Sequence, residues 1–415
     1  MMFEDALLSE IRGRFAHVED CPFTGKRVFF ENAGGALTLN AVVETSTRFA
    51  AIPDNQGRDN PASRALVEVI DRARADVREF LGAEGGAVIF GESGTELLFR
   101  LIRDACLGAG PGRALGSTVE HPASRSAMAR WAGVSSRRHV LIPHDDATGR
   151  VTPDAYAAHV TPDTAVATIL HTSPVTGIGM DLPGIADAIR AVAPECFIIV
   201  DGIQHACHGH IDVAGAGVDG YVISPYKVFS RHGYGVAWAS DRLTALAHDA
   251  LIGGPEGNWE LGTRDTGAYA TFSDVVSYFD WLGAQVSDAA TRTERLAEAR
   301  RAIHAHEAAL CQAMIHGTGN LAGLANLPGV TVIGGTDNAG REGLVSFWAE
   351  GRPSAEIVAA LNEAGIRTHT RKADHYSGNV LDPLGQADCI RVSLAHYNSM
   401  GEVRAFLTAM RGILG

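Results

Sequence analysis

Tyr221-Val222-Ile223-Ser224-Pro225-Tyr226-Lys227, followed by Val228-Phe229-Ser230-Arg231-His232-Gly233-Tyr234-Gly235, begins as a short apolar run. It reads as a buried strand that delivers one lysine into a turn rich in Gly and His. The chain holds only three lysines, Lys26, Lys227 and Lys372, and arginine carries nearly all of its positive charge. Arginine keeps its proton and cannot form a Schiff base, whereas a lysine in a tuned site can. Upstream, Cys196-Phe197-Ile198-Ile199-Val200-Asp201-Gly202 is a second buried-strand pattern, and it ends in a carboxylate. Read singly, Asp201 also suits a turn cap and Lys227 a solvated surface.

The rest of the chain sets the frame for this pair. Its 415 residues suffice for two domains. A hydrophobic content of 46% with 20% charged residues describes a soluble globular protein. The net charge of −13 argues against nucleic acid as the main partner. The acidic start Met1-Met2-Phe3-Glu4-Asp5 has no continuous apolar core, so no signal peptide is expected, and no apolar run is long enough for a membrane span. Six scattered cysteines without a C-x-x-C pair read as reduced thiols of a cytoplasmic protein, with no disulfide framework and no metal site.

Strand and helix patterns alternate through the first two-thirds. That predicts an α/β fold, with a mostly parallel sheet covered on both faces and ligands at the carboxyl ends of its strands. Residues 4–16 read as a short helix, and Val28-Phe29-Phe30-Glu31-Asn32-Ala33-Gly34-Gly35 as a strand entering a turn. Leu66, Ile70, Ala73, Val77 and Phe80 share one helical face, with Arg64 just before it. Ala87-Val88-Ile89-Phe90, the turn 91–96 and a helix over 97–106 form a strand–turn–helix unit. Ser93 with Glu96 fits a capping box. Such a helix start is an anion site, through Gly94 and Thr95, or an ordinary capped helix. After Trp281 the composition shifts, and residues 284–316 read as one long linking helix. Strand patterns near 330, 344 and 390 and helices over about 354–364 and 401–414 complete a small α+β unit. The expected division is a large domain over 26–283 and a small C-terminal domain over 284–415, joined by the N-terminal segment 1–25.

A Schiff-base lysine and an acid to face a pyridinium nitrogen are what pyridoxal phosphate requires. The Asp201/Lys227 pair resembles the class V aminotransferase and cysteine desulfurase family of fold-type-I pyridoxal-phosphate enzymes. That family carries strand-Asp-Gly-x-Gln and then strand-Ser-x-His-Lys. Here the two motifs read Asp201-Gly202-Ile203-Gln204 and Ser224-Pro225-Tyr226-Lys227. The resemblance covers nearly the whole chain. It implies cofactor contacts from Gly94, Thr95, Gln204, Ser224 and Tyr226, with His121 of Val119-Glu120-His121 stacked on the ring. An ordinary imidazole there also relays protons. Gly262-Thr263 is similar to the family's Glu-x-Gly-Thr motif, which implies that Thr263 reaches the partner's cofactor in a homodimer with shared sites. Cys389-Ile390-Arg391-Val392-Ser393 resembles the strand whose arginine forks onto the substrate carboxylate. Asn32, Arg64, Arg264 and His375 are further substrate-side candidates.

Two departures from the family matter. Pro174 stands where the family usually has an Asn beside the cofactor, and it cannot donate a hydrogen bond. The loop Arg371-Lys372-Ala373-Asp374-His375-Tyr376-Ser377-Gly378 lacks the catalytic Cys of true desulfurases. The expected activity is therefore a lyase-type elimination at the side chain of an amino-acid substrate, without an enzyme persulfide. An aminotransferase using a keto-acid acceptor is the alternative, and a non-catalytic binding protein of the same fold is a third.

Overall fold

The structure is a computed structural model that describes residues 2–415. Its centre is a seven-stranded sheet built in chain order from β1 (Ala87–Gly91), β2 (Arg113–Ser117), β3 (His139–Ile142), β4 (Thr164–Leu170), β5 (Phe197–Asp201), β6 (Gly220–Ile223) and β7 (Gly235–Ala239). The spatial order is β1-β7-β6-β5-β4-β2-β3, with β7 antiparallel to both neighbours and the other pairings parallel. Every residue of β5, β6 and β7 is buried, which explains why these strands read as continuous apolar runs. The mostly parallel α/β architecture is the one that the alternating pattern predicts.

Helices cover both faces. The ones that matter for the site are α1 (Pro61–Leu81), α2 (Gly94–Gly108), α3 (Pro122–Val134), α4 (Thr266–Val286) and α5 (Arg292–His316). Helix α1 begins earlier than its apolar spacing suggests, because Asn60 caps it through the Ser63 amide at 2.8 Å and Pro61 opens it. Arg64 thus lies inside the first turn and is exposed. The cap of α2 is also half of what Ser93 and Glu96 suggested. Ser93 Oγ accepts from the Glu96 amide at 3.1 Å, but the Glu96 carboxylate turns to the Glu92 amide.

The expected single helix over 284–316 is two helices. α4 ends at Val286, and α5 starts after Thr291, whose side chain exchanges capping-box hydrogen bonds with Glu294. The two pack so closely that a Cβ on Gly283 would come within 2.0 Å of the Arg295 carbonyl oxygen. Helix α4 has twelve buried residues spread over its circumference, so it shows no one-sided apolar stripe to read.

Beyond α5, β8 (Val330–Val332), β9 (Leu344–Ala349), β10 (His369–Lys372) and β11 (Asp388–Ser393) form an antiparallel sheet in the order β8-β9-β11-β10. The helices Ser354–Glu363 and Met400–Leu414 pack with it, the second through Val403, Phe406, Leu407 and Met410. Val28–Phe29 pairs in parallel with Ile366–Arg367, and Phe30 is buried in the core of this sheet. The N-terminal chain is thereby hydrogen-bonded to the C-terminal third. No helix among the described residues is long and apolar enough to cross a membrane.

Candidate active site

Lys227 stands one turn beyond the carboxyl end of β6. Its backbone N–H donates to the Ser224 carbonyl at 2.9 Å, and the Val228 and Ser230 amides both return to the Pro225 carbonyl. Two residues on, Phe229 adopts φ +62°, a conformation that a bulky side chain rarely takes. Its ring is fixed among Phe15, His396 and Phe279, with centroids 4.9 to 6.0 Å away. This packing holds the turn that aims Lys227 inward.

One cleft is lined by Thr95, His121, Pro174, Asp201, Gln204, Ser224, Tyr226 and Lys227, with Leu170 and Ile203. The structure thus gathers at the carboxyl ends of adjacent strands most of the residues expected to meet a cofactor. The Lys227 amine donates to Gln204 Oε1 at 3.3 Å. Burial, and after it the neighbouring Arg391, lowers Lys227 to about 8, so far more free amine is present at neutral pH than on an ordinary lysine. Asp201 ends β5 and is 2% exposed. Its carboxylate accepts from the Ile203 amide at 3.1 Å and the Ser124 hydroxyl at 3.4 Å. Burial pushes Asp201 up to about 6, which marks a carboxylate short of a cationic partner.

His121 caps α3, with Nδ1 accepting from the Ala123 amide at 3.2 Å. Burial, then Lys227 and Arg371, lowers it to about 4. The expected proton relay at near-neutral pKa therefore loses its basis. What remains is a flat neutral ring whose proton sits on Nε2.

Gly94 starts α2 in close contact with the Lys227 turn, since a Cβ there would fall 2.4 Å from Ser224 Oγ. Thr95, in the first turn of α2, and Ser224 both line the cleft, beside a helix N-terminus of the kind an anion site uses. Arg391 on β11 is 3% exposed. Its Nη1 donates to the Pro174 carbonyl at 3.0 Å, and its Nε has no partner. Pro174, unable to donate, thus serves through its carbonyl. These features fit pyridoxal phosphate: an amine, an uncompensated buried carboxylate, a flat ring and a helix N-terminus. The unpaired buried guanidinium fits a substrate carboxylate.

Other candidates lie elsewhere. Asn32 is saturated by Ser393, Asn398 and Tyr397, so it ties the N-terminal turn to β11 and offers no free donor to a substrate. Arg64 does not line the cleft. Thr263 is exposed and borders a separate depression with Asp54 and Asn55. Arg264 pairs with Glu92. Tyr226, by contrast, lines the cleft and stacks on His232 at 4.3 Å. His375 is exposed on the rim, its ring 4.0 Å from Tyr376, which in turn lies 5.9 Å from His121.

Sequence reading assigned no role to Arg371. On β10 it pairs with Cys389 and shares a sheet face with Arg391, and its Nε donates to Ser377 at 2.8 Å. Only the cross-strand register reveals this neighbour. Ser124 was equally hidden, because nothing in its helix signals a bond to Asp201.

Glu120, beside His121, is 1% exposed, and burial raises it to about 7. The folded state therefore binds a proton that the unfolded chain has released. This contribution is complete below the ordinary glutamate range and is lost as pH rises through about 7. Glu120→Gln should keep the bonds to the Ser117 amide and the Thr168 hydroxyl, each 2.8 Å in the native site. Denaturant melts across pH should show the variant gaining on the native protein between mildly acidic and mildly alkaline pH, by on the order of 3 kcal/mol.

The sequence model of the family described as aminotransferase class-V matches residues 28–406. The aminotransferase-like protein FGM3 of Gibberella zeae is 27% identical over 426 residues, covering 98% of each chain. The cysteine desulfurase-like protein ustD of Aspergillus flavus is 27% identical over 417 residues, covering 94% of this chain and 88% of its own. Among solved structures, the Escherichia coli cysteine desulfurase CsdA superposes with a TM-score of 0.79 at 22% identity, covering 100% of this chain and 99% of that one. The apo cysteine desulfurase of Thermococcus onnurineus NA1 gives 0.80 at 21%, covering 96% and 97%. These two likenesses establish the shared fold. With the family match spanning nearly all of the chain, the protein belongs to the class V aminotransferases, a family of pyridoxal-phosphate-dependent enzymes.

Proposed function

We propose that this protein is a lyase that eliminates a group from the side chain of an α-amino acid and does not pass sulfur to a cysteine of its own. One observation carries the reading. The rim loop facing His121 presents Asp374, His375 and Tyr376 and no thiol, while every cysteine except Cys21 is buried. Burial raises Cys389, the nearest to Arg391 in sequence, to about 12, so it is not a ready thiolate.

When bound, pyridoxal phosphate supplies an electron sink for the pair left by a bond broken at the substrate α-carbon. Lys227 is the amine that carries it and, once displaced by substrate, the base or acid at that carbon. Asp201 would hold the ring nitrogen, His121 the ring face, and Gly94, Thr95 and Ser224 the phosphate. Arg391 grips the substrate carboxylate, and Arg371 adds positive potential from the same sheet face. Gln204 would face the ring oxygen.

The test is a panel of amino acids with product analysis. The reading expects ammonia and a keto acid in equal amounts without an added acceptor. Transfer of the amino group to an added keto acid overturns it in favour of aminotransfer, and binding with no turnover overturns it in favour of a non-catalytic role. Mass spectrometry after incubation with cysteine should find no cysteine that has gained a sulfur atom; a gain during turnover restores the desulfurase reading.

Thr263 lies outside the cleft of its own chain, so the reading also calls for a homodimer in which each copy lends Thr263 to the other's phosphate end. Sedimentation should find a dimer. A monomer that retains the cofactor as firmly would remove that role.

A further inference from the structure

Behind Lys227 runs a chain of buried polar contacts whose far members, His208 and Glu307, have no part in the proposed reaction. Gln204 Oε1 accepts from Lys227 Nζ at 3.3 Å, and Gln204 Nε2 lies 3.2 Å from His208 Nε2. His208 Nδ1 then meets Glu307 Oε2 at 2.7 Å. Gln204, His208 and Glu307 are 3%, 2% and 1% exposed. The other Glu307 oxygen has no hydrogen-bond partner, so among the described residues His208 is the one side chain that hydrogen-bonds to this carboxylate. Gly343 closes over the pair, since a Cβ there would sit 2.9 Å from both Glu307 Oε2 and His208 Cε1. His208 and Glu307 are 99 residues apart in the chain, brought together by α5.

A carboxamide has one oxygen and one NH₂, and here each end faces one titratable group. With the oxygen toward Lys227, the NH₂ faces His208, which must then be neutral, with its lone pair on Nε2. An imidazolium on His208 has an N–H at both ring positions, so the carboxamide must turn. Its NH₂ then faces Lys227, and only an uncharged amine can accept that bond. We propose that Glu307 and His208 are a positioning pair that acts through the Gln204 carboxamide, so that an ammonium on Lys227 and an imidazolium on His208 exclude each other. Glu307 favours the imidazolium and thereby the free amine, the form of Lys227 that can attack an aldehyde. This deepens the proposed function and rests on its reading of Lys227 as the carrier amine.

Other charged and titratable groups face the two ends. Arg391, Asp201, Cys207, Arg371 and His121 surround Lys227. Cys207, Glu307, Glu342 and His396 surround His208. The direct field of Glu307 gives the experiment its sign. Removing the negative charge of Glu307 by field alone leaves an ammonium on Lys227 less stable and lowers its titration midpoint. Through the carboxamide, the same change leaves His208 neutral, turns the Gln204 oxygen to Lys227 and raises the midpoint.

The full-length protein, stripped of cofactor, would be methylated with formaldehyde and cyanoborohydride over a range of neutral to alkaline pH. The Lys227 peptide is then quantified by mass spectrometry, with exposed Lys26 and Lys372 as internal references. Glu307→Gln and His208→Gln should each raise the Lys227 midpoint by about one pH unit, a tenfold change in its proton affinity. In a Gln204→Leu background the Glu307 substitution should have no further effect. A midpoint unchanged or lowered in a variant with native circular dichroism overturns the proposal, as does a rise that persists without the carboxamide. If Glu307→Gln does not fold, His208→Gln compared in the native and Gln204→Leu backgrounds decides, since a rise by direct field persists without the carboxamide. A separate arm adds pyridoxal phosphate to the native protein, which should protect Lys227 from methylation. Failure of that arm alone sinks the carrier reading and leaves the midpoint comparison standing.

Discussion

Lys227→Ala is expected to lower turnover by about a thousandfold or more, because it removes both the covalent anchor and the group that moves the proton at the substrate α-carbon. The fold should survive. The lost side chain is a buried amine whose charged form burial disfavours, and its one hydrogen bond is a long one to Gln204. Lys227→Arg should be as inactive and less stable, since it sets a third fixed cation beside Arg391 and Arg371 and cannot shed its proton. The pH dependence has a definite sign. The amine is lowered to about 8, so capture of pyridoxal phosphate by the stripped protein should rise with pH through about 8 and level off above it. Steady-state kinetics, thermal melts and stopped-flow absorbance check the three parts.

Arg391→Ala is expected to lower kcat/KM for the amino acid by about a hundredfold or more, the usual result of removing one partner of a buried, hydrogen-bonded charge pair. Arg391→Lys should recover little, because a point charge cannot reproduce two parallel bonds to a carboxylate. The loss should fall mainly on substrate. Cofactor capture should persist, with the Lys227 midpoint raised, because Arg391 has the largest effect of the cations that hold it down. An Arg391→Ala enzyme that kept its KM would place the substrate carboxylate elsewhere, with Arg371 the next guanidinium on the same face.

These expectations come from residues that were legible to different degrees. Asp201 and Lys227 stood out because one ends and the other closely follows a fully buried strand, whose apolar run is easy to read and whose carboxyl end is where ligands bind. The start of α2 was legible for a similar local reason, although the capping box was only half formed. Helix α4 was not, because burial on all sides leaves no period. Arg371, Ser124 and the Glu307–His208 pair depend on cross-strand register or on helices distant in the chain. Asn32 misled, because a turn asparagine at the mouth of a site looks the same in sequence whether it faces a substrate or, as here, the carbonyl of Ser393. His121 does line the cleft, but its ionisation is set by burial and by Lys227 and Arg371, which come from other elements.

The central claim is that Lys227 carries the cofactor. Borohydride reduction of the protein loaded with pyridoxal phosphate, followed by peptide mapping, tests it directly. The account predicts one phosphopyridoxyl tag per chain, on the peptide that contains Lys227. A tag on Lys26 or Lys372, or an active enzyme with no tag at Lys227, would contradict it.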